Sequence, residues 1–345
     1  MRRTFAALVF LALPPLAQAQ HRLQPPPQRP GVLAPGPVPR GEPDLAANTF
    51  SAKNIPYVNP PTPSREFDIY CPMTVTYPGQ NKEPAPPRPL IVWVHGGGWI
   101  GGDKKDCPAR ALVKDGFVVA SINYRLSSEA IFPAQIEDCK AAIRYLRAHA
   151  KDYNIDVDHV GVWGASAGGH LVALLGTSGG VNELEGNEGN LDQSSRVQAV
   201  CDWYGPTDLL QIVKQAEEAH MPEAKNLHDP HSVLARLLGG PPGNRTELAK
   251  SANPITFVSK DDPPFLIMHG DKDPLVPLAQ SQLLVDALKT AGVDARLEVV
   301  KGGGHGDLNV NGFKASQEVR AFFIRQLKTP NASPESPREK APSQR

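Results

Sequence analysis

The sequence lacks net charge: 36 Lys and Arg offset 36 Asp and Glu in 345 residues. A chain with no field of one sign has nothing to steer it toward phosphate backbones or anionic lipid, so nucleic acid is not an expected partner. It lacks an apolar run long enough to span a bilayer, and no membrane anchor is expected. It is also poor in cysteine: Cys71, Cys107, Cys139 and Cys201 show no CxxC or Cys/His spacing of the kind that holds zinc, so no metal is assigned. No segment repeats. Hydrophobic residues still make up 40% and charged residues 21%, enough for one large domain with a buried core.

The first residues carry a pattern of their own. Arg2 and Arg3 precede an apolar run from Phe5 to Leu16, broken by Pro14-Pro15, and then Ala17-Gln18-Ala19. Charge, short hydrophobic stretch and small-residue site in that order read as a leader over 1–19, cleaved after Ala19 to give a secreted or periplasmic product. Gln20, not Cys, directly follows the cleavage site, which argues against a lipid-anchored product. An exported chain meets conditions in which disulfides persist, and four cysteines allow three pairings if all are bridged. Cys107 and Cys139 bracket one strand and the starts of two helices and form a candidate pair, with two buried free thiols as the alternative.

Residues 20–63 are crowded with proline, Pro25, Pro26, Pro27, Pro30 and Pro35 among them, and read as a disordered spacer. Residues 329–345, rich in Pro, Ser, Lys and Glu, read as a disordered tail. The folded unit is then expected over 64–328. Within it, short apolar β-branched runs predict strands at 90–94, 117–122, 160–163, 197–203, 265–269 and 295–300. Between them, Ile136, Cys139, Ile143 and Leu146 mark one helical stripe after Pro133. Leu283, Leu284, Ala287 and Leu288 mark another before Gly292. Strand and helix in alternation, with nearly uniform apolar strands, predict an α/β fold: a mostly parallel central sheet with helices on both faces. The polar stretches 179–190 and 215–231 are expected as loops or a small cap, either walls of a substrate site or plain connections.

Gly164-Ala165-Ser166-Ala167-Gly168 lies between a strand and the helical run 169–175. A GxSxG on a strand-to-helix turn thrusts the serine hydroxyl out at a helix N-terminus, while glycines allow the backbones to approach closely. His95-Gly96-Gly97-Gly98-Trp99 ends an earlier strand. Its bare amides at Gly97 and Gly98, with that of Ala167, are candidates for holding a negatively charged oxygen. His95, ahead of the glycines, is read as bracing the loop. A serine is a poor nucleophile at neutral pH without an imidazole to take its proton and a carboxylate to fix the imidazole tautomer. His305, in Gly302-Gly303-Gly304-His305-Gly306, is the candidate base, and Asp271 and Asp273 both stand where the carboxylate is expected.

Taken together, HGGGW, Ser121 to Leu126 (SINYRL), Phe132-Pro133-Ala134-Gln135, GASAGG, Tyr204 to Asp208 (YGPTD), HGDKDPLVP and GGGHG resemble the esterase branch of the α/β-hydrolases. The resemblance is to bifunctional feruloyl and acetyl xylan esterases, near the hormone-sensitive-lipase group, over about residues 91–327. It implies an α/β-hydrolase fold, no cofactor, and Asp273 as the third member beside Ser166 and His305, since in relatives the carboxylate precedes the x-Val-Pro segment. It also implies a serine ester hydrolase acting on short-chain, acetyl or feruloyl esters, as small molecules or on plant polysaccharide. Trp99 is expected near the acyl group as a substrate-binding residue. Residues 67–78 match the family's opening strands only loosely, and the proline-rich insert 83–89 is unusual. A prolyl-oligopeptidase-type peptidase would need a propeller domain that a proline-rich spacer cannot supply. A binding module without catalysis would have no need of Ser, Asp, His and HGGG together. The sequence leaves the oligomeric state open.

Overall fold

A computed structural model describes residues 42–44, 49–73, 85–222, 224–306 and 312–328. The expected leader (1–19) and tail (329–345) lie outside the described residues. Among those described, nine strands make one sheet: β1 (Glu42–Asp44), β2 (Thr49–Pro56), β3 (Glu66–Pro72), β4 (Arg88–Val94), β5 (Val118–Ile122), β6 (Ile155–Ala165), β7 (Ala199–Trp203), β8 (Phe265–Gly270) and β9 (Ala295–Val300). Their spatial order is β1-β2-β3-β5-β4-β6-β7-β8-β9. The first three join antiparallel, and every pairing from β5 to β9 is parallel. The helices are α1 (Ala134–Ala148), α2 (Ala150–Tyr153), α3 (Ala167–Thr177), α4 (Ile212–Glu218), α5 (Val233–Leu238), α6 (Thr246–Ser251), α7 (Leu278–Thr290) and α8 (Gly312–Leu327).

The period of two along a doubly covered strand divides the core into two layers. On β4, Leu90, Val92 and Val94 join one cluster with Ile143 of α1, Leu171 of α3 and Leu284 of α7. Ile91 and Trp93 join the other with Val319, Phe322 and Phe323 of α8. The fold is the α/β-hydrolase arrangement, and it gathers the carboxyl ends of the parallel strands along one edge. There the loops after β4, β6, β7, β8 and β9 meet, as in other open parallel sheets.

Two expectations change. The folded unit does not begin at 64: β2, inside the segment read as disordered spacer, pairs with β3 through Ala52↔Ile69 and Ile55↔Phe67, and buries Ala52 and Ile55. The prolines that suggested a spacer crowd the segment up to Pro43 and return at Pro60, Pro61 and Pro63, while β2 itself holds only Pro56, at its end. In between, Thr49–Pro56 alternates too few apolar side chains to stand out against that composition. The cysteine pair is also overturned, since all four thiols are free. Cys139 packs in the α1 layer and Cys107 against the α8 layer, on opposite faces of the sheet, where no disulfide can join them.

Candidate active site

β6 ends at Ala165 and α3 begins at Ala167, which leaves Ser166 alone in the turn at φ 56° and ψ −119°. Positive φ at a residue with a side chain costs on the order of 1–3 kcal/mol and persists only where the surroundings enforce it. Here the Ser166 amide donates to Trp203 O at 2.8 Å, and the Ser166 carbonyl accepts from His170 N at 2.9 Å. The flanking glycines are needed for space. A Cβ on Gly164 would stand 2.3 Å from Gly168 O, and one on Gly168 would stand 2.1 Å from Val94 O. The sharp turn therefore lifts the serine hydroxyl clear of the sheet.

His305, beyond the end of β9, meets that hydroxyl: its Nε2 lies 2.9 Å from Ser166 Oγ, and its Nδ1 lies 2.8 Å from Asp273 Oδ2. With Asp273 accepting the Nδ1 proton, Nε2 is left to accept from the serine. Asp271 takes no part in this line; its Oδ1 accepts the Gly302 amide at 2.6 Å. Burial alone would raise the Asp273 carboxyl, but hydrogen bonds from His269, His305 and the Val276 amide hold it well below the usual carboxylate range, so it stays charged.

The glycine loop after β4 faces the same hydroxyl. His95 is buried and donates from Nδ1 to Gly96 O at 2.7 Å. Its ring stacks on Tyr124 at 4.5 Å, and the Tyr124 hydroxyl donates to His95 O at 3.0 Å. Burial pushes the His95 imidazole down, toward its neutral form, and the residue braces the loop. Gly97 and Gly98 both carry positive φ, at 110° and 61°. Ala167 occupies the first position of α3, where an amide has no intrahelical acceptor. All three residues line the cavity above Ser166. Their backbone N–H groups are therefore the candidates for holding an oxygen that becomes negative at Ser166.

That cavity measures about 840 Å³. Trp99, Ile212, Leu227, Val233 and Leu234 give it an apolar wall, and Asn226, Asp229 and His231 lie at its polar rim. Trp99 is 2% exposed, with its ring set edge-on to His170 at 5.2 Å between centroids, so it supplies a fixed wall. Of the two polar stretches, 215–231 contributes side chains to the cavity and 179–190 does not. The latter is tied to α1 instead: Lys140 and Arg144 both pair with Glu185, at 2.7 and 2.8 Å, and Arg144 also donates to Glu188 O.

Sequence reasoning assigned no role to Tyr204 or His269. Tyr204, held at φ 45°, places its ring 4.6 Å from that of His305, and His269 reaches Asp273 from beneath. Their signals were the YGPTD and HGDKDPLVP motifs that they open and their position, since both sit at the carboxyl ends of parallel strands, where such sheets build their sites.

Fold and site together define an α/β-hydrolase. The chain belongs to the BD-FAE family, whose pattern matches residues 68–288, and a TAP-like protein pattern matches 246–336. Esterase LipQ of Mycobacterium tuberculosis is 34% identical over 268 residues, which cover 74% of this chain and 60% of LipQ. Esterase LipC of the same organism is 30% identical over 257 residues, 71% of this chain and 60% of its own. The chain thus spans about 60% of the length of these curated relatives. A solved truncated form of a carbohydrate esterase from gut microbiota is 37% identical with a TM-score of 0.70, covering 84% of this chain and 99% of that one. A bifunctional GH43-CE protein of Bacteroides eggerthii is 35% identical with a TM-score of 0.67, over 80% of this chain and 38% of its own.

Proposed function

We propose that this chain hydrolyses carboxylic esters outside the cytoplasm through an acyl-enzyme on Ser166, with acetyl, other short acyl or feruloyl groups carried on carbohydrate as its substrate class. The observation that carries this reading is the hydrogen-bonded line Ser166–His305–Asp273 at the floor of an apolar cavity, opposite the amides of Gly97, Gly98 and Ala167.

In this reading Ser166 Oγ attacks the ester carbon as its proton passes to His305 Nε2, and the carbonyl oxygen takes the negative charge. Gly97, Gly98 and Ala167 donate to that oxygen, each donor contributing on the order of a hundredfold in rate. Asp273 stabilises the charged imidazole and holds its tautomer. The tetrahedral species collapses, the bond to the alcohol oxygen breaks, and that oxygen takes the proton from His305. A water molecule then gives its proton to His305 as its oxygen attacks the acyl carbon, which releases the acid and restores Ser166.

The carbohydrate element is supported by the similarity to the gut carbohydrate esterase over nearly its whole length. The export element is supported by Arg2-Arg3, the apolar run and Ala17-Gln18-Ala19. Purified protein and its Ser166→Ala variant, assayed on acetyl, butyryl, octanoyl and feruloyl esters of p-nitrophenol and on acetylated xylan, test the reading. Serine-dependent turnover that extends to acetylated xylan is expected. Equal rates for the two proteins on every ester would sink it. Export is tested by N-terminal sequencing of the protein recovered outside the cytoplasm, which should begin at Gln20.

A further inference from the structure

The carboxylate of Asp273 faces two histidines. Oδ2 lies 2.8 Å from His305 Nδ1 and 3.3 Å from His269 Nε2, while Oδ1 accepts the amides of Leu275 and Val276 at 2.8 and 2.9 Å. His269 is fully buried, in β8 between β7 and β9. Its Nε2 also lies 2.9 Å from Val276 O, and its Nδ1 lies 2.7 Å from Ser281 Oγ, on the first turn of α7. A carbonyl oxygen only accepts, so the proton sits on Nε2, and Nδ1 is left to accept the Ser281 hydroxyl.

We infer that His269 is a positioning residue for the reaction: its Nε2–H, shared between Val276 O and Asp273 Oδ2, fixes the carboxylate that orients His305. The geometry makes one line from α7 to the nucleophile, Ser281–His269–Asp273–His305–Ser166. Asp273 lies in a loop, between Gly270 at the end of β8 and Leu278 at the start of α7, and a loop alone is a poor holder of a catalytic group. His269 and Ser281 come from the strand and helix on either side. They aim the carboxylate from rigid elements, and the two loop amides on Oδ1 close the carboxylate from the other side. Without the Nε2 donor, Oδ2 keeps only His305 among the described residues, and the carboxylate is held otherwise by amides of its own loop, which move with it. Misplacement of about 1 Å in such a line costs on the order of a hundredfold in rate.

The inference rests on Ser166 and His305 as the reacting pair, so Ser166→Ala is measured beside the test variants. His269→Phe keeps the bulk of the ring and removes both nitrogens, and His269→Gln restores an N–H donor close to Nε2. The expected result, well below the melting temperature of each protein, is a kcat lowered tenfold or more in His269→Phe with KM within about twofold, and largely recovered in His269→Gln. The low-field proton resonance of the His305 Nδ1–H should shift or broaden in the first variant and return in the second. A wild-type kcat in His269→Phe, or equal loss in both variants at unchanged melting temperature, would overturn the inference while an inactive Ser166→Ala kept the proposed function standing. Turnover that survives Ser166→Ala would overturn both. Should His269→Phe not fold, Ser281→Ala decides: the kcat falls a few-fold with a shifted resonance, or both stay unchanged and the inference fails.

Discussion

Asp202, the last residue but one of β7, has its side chain fully buried, and replacing it with asparagine should gain stability relative to wild type as pH rises. Oδ1 accepts the Gly205 amide at 2.9 Å, and Oδ2 meets no donor among the described residues. Burial is the dominant effect and raises the carboxyl from 3.8 to about 6, with the Gly205 amide and His269 pulling the other way. The folded-state pKa lies above the unfolded one. The stability that the protonated group contributes is therefore complete below pH 3.8 and is lost as pH rises through about 6. A shift of this size corresponds to about 3 kcal/mol at pH 8, of which about 1.5 kcal/mol is lost between pH 5 and pH 8. Asparagine does not titrate, and the cost of its unpartnered amide is the same at every pH. The melting temperature of Asp202→Asn relative to wild type should therefore rise by roughly 3–6 °C between pH 5 and pH 8, as read by thermal unfolding at the two values. An equal difference at both pH values, or a smaller one at pH 8, would refute the reasoning.

Asp273→Asn places an amide against His305 Nδ1 and forces the proton onto Nε2, facing the serine. The kcat on p-nitrophenyl acetate should fall by about 10³–10⁴, and a loss under tenfold would contradict the geometry. Glu185→Ala strips the partner from Lys140 and Arg144, both buried, and should cost about 3 kcal/mol in urea unfolding with kcat unchanged at low temperature, since the ion pairs lie away from the cavity. The thiols should be inert in the folded chain. Burial pushes Cys71 up to about 12 and Cys107 to about 11, and holds Cys139 and Cys201 well above the usual thiol range, so a disulfide reagent should modify none of them until denaturant exposes all four.

The parallel half of the sheet was readable because strands buried on both faces are continuous runs of Val, Ile, Leu and Trp. Val118–Ile122, Ala199–Trp203 and Phe265–Gly270 are each buried at every position. The antiparallel edge was not readable. β2 sets two exposed polar residues side by side, Lys53 and Asn54, between two buried ones, a broken alternation that is a weak signal beside a proline-rich neighbour. The residues at the ends of β4, β6 and β9 carry glycine patterns whose chemistry is local, so Gly97, Gly98, Ser166, Ala167 and His305 could be named without coordinates. Choosing Asp273 over Asp271 needed either the family resemblance or the distance to His305, because two residues of separation in one loop change nothing that a pattern can detect. Tyr204 meets His305 across about a hundred residues of sequence, and His269 meets Asp273, Val276 and Ser281 only through the path of the loop from β8 to α7, and spacing encodes neither. The cysteines failed for the same reason: position along the chain said nothing about which face of the sheet each one occupies.

The most direct test of the account is to quench the protein during turnover of p-nitrophenyl acetate, digest it and locate the acetyl group by mass spectrometry. The account predicts a transient acetyl on the peptide containing Ser166, absent in Ser166→Ala and accumulating when His305 is replaced by a residue that cannot activate water but the serine is acylated by a reactive ester. Turnover with no acyl group on that peptide at any time point, or an acyl group on a different residue in an active enzyme, would contradict it.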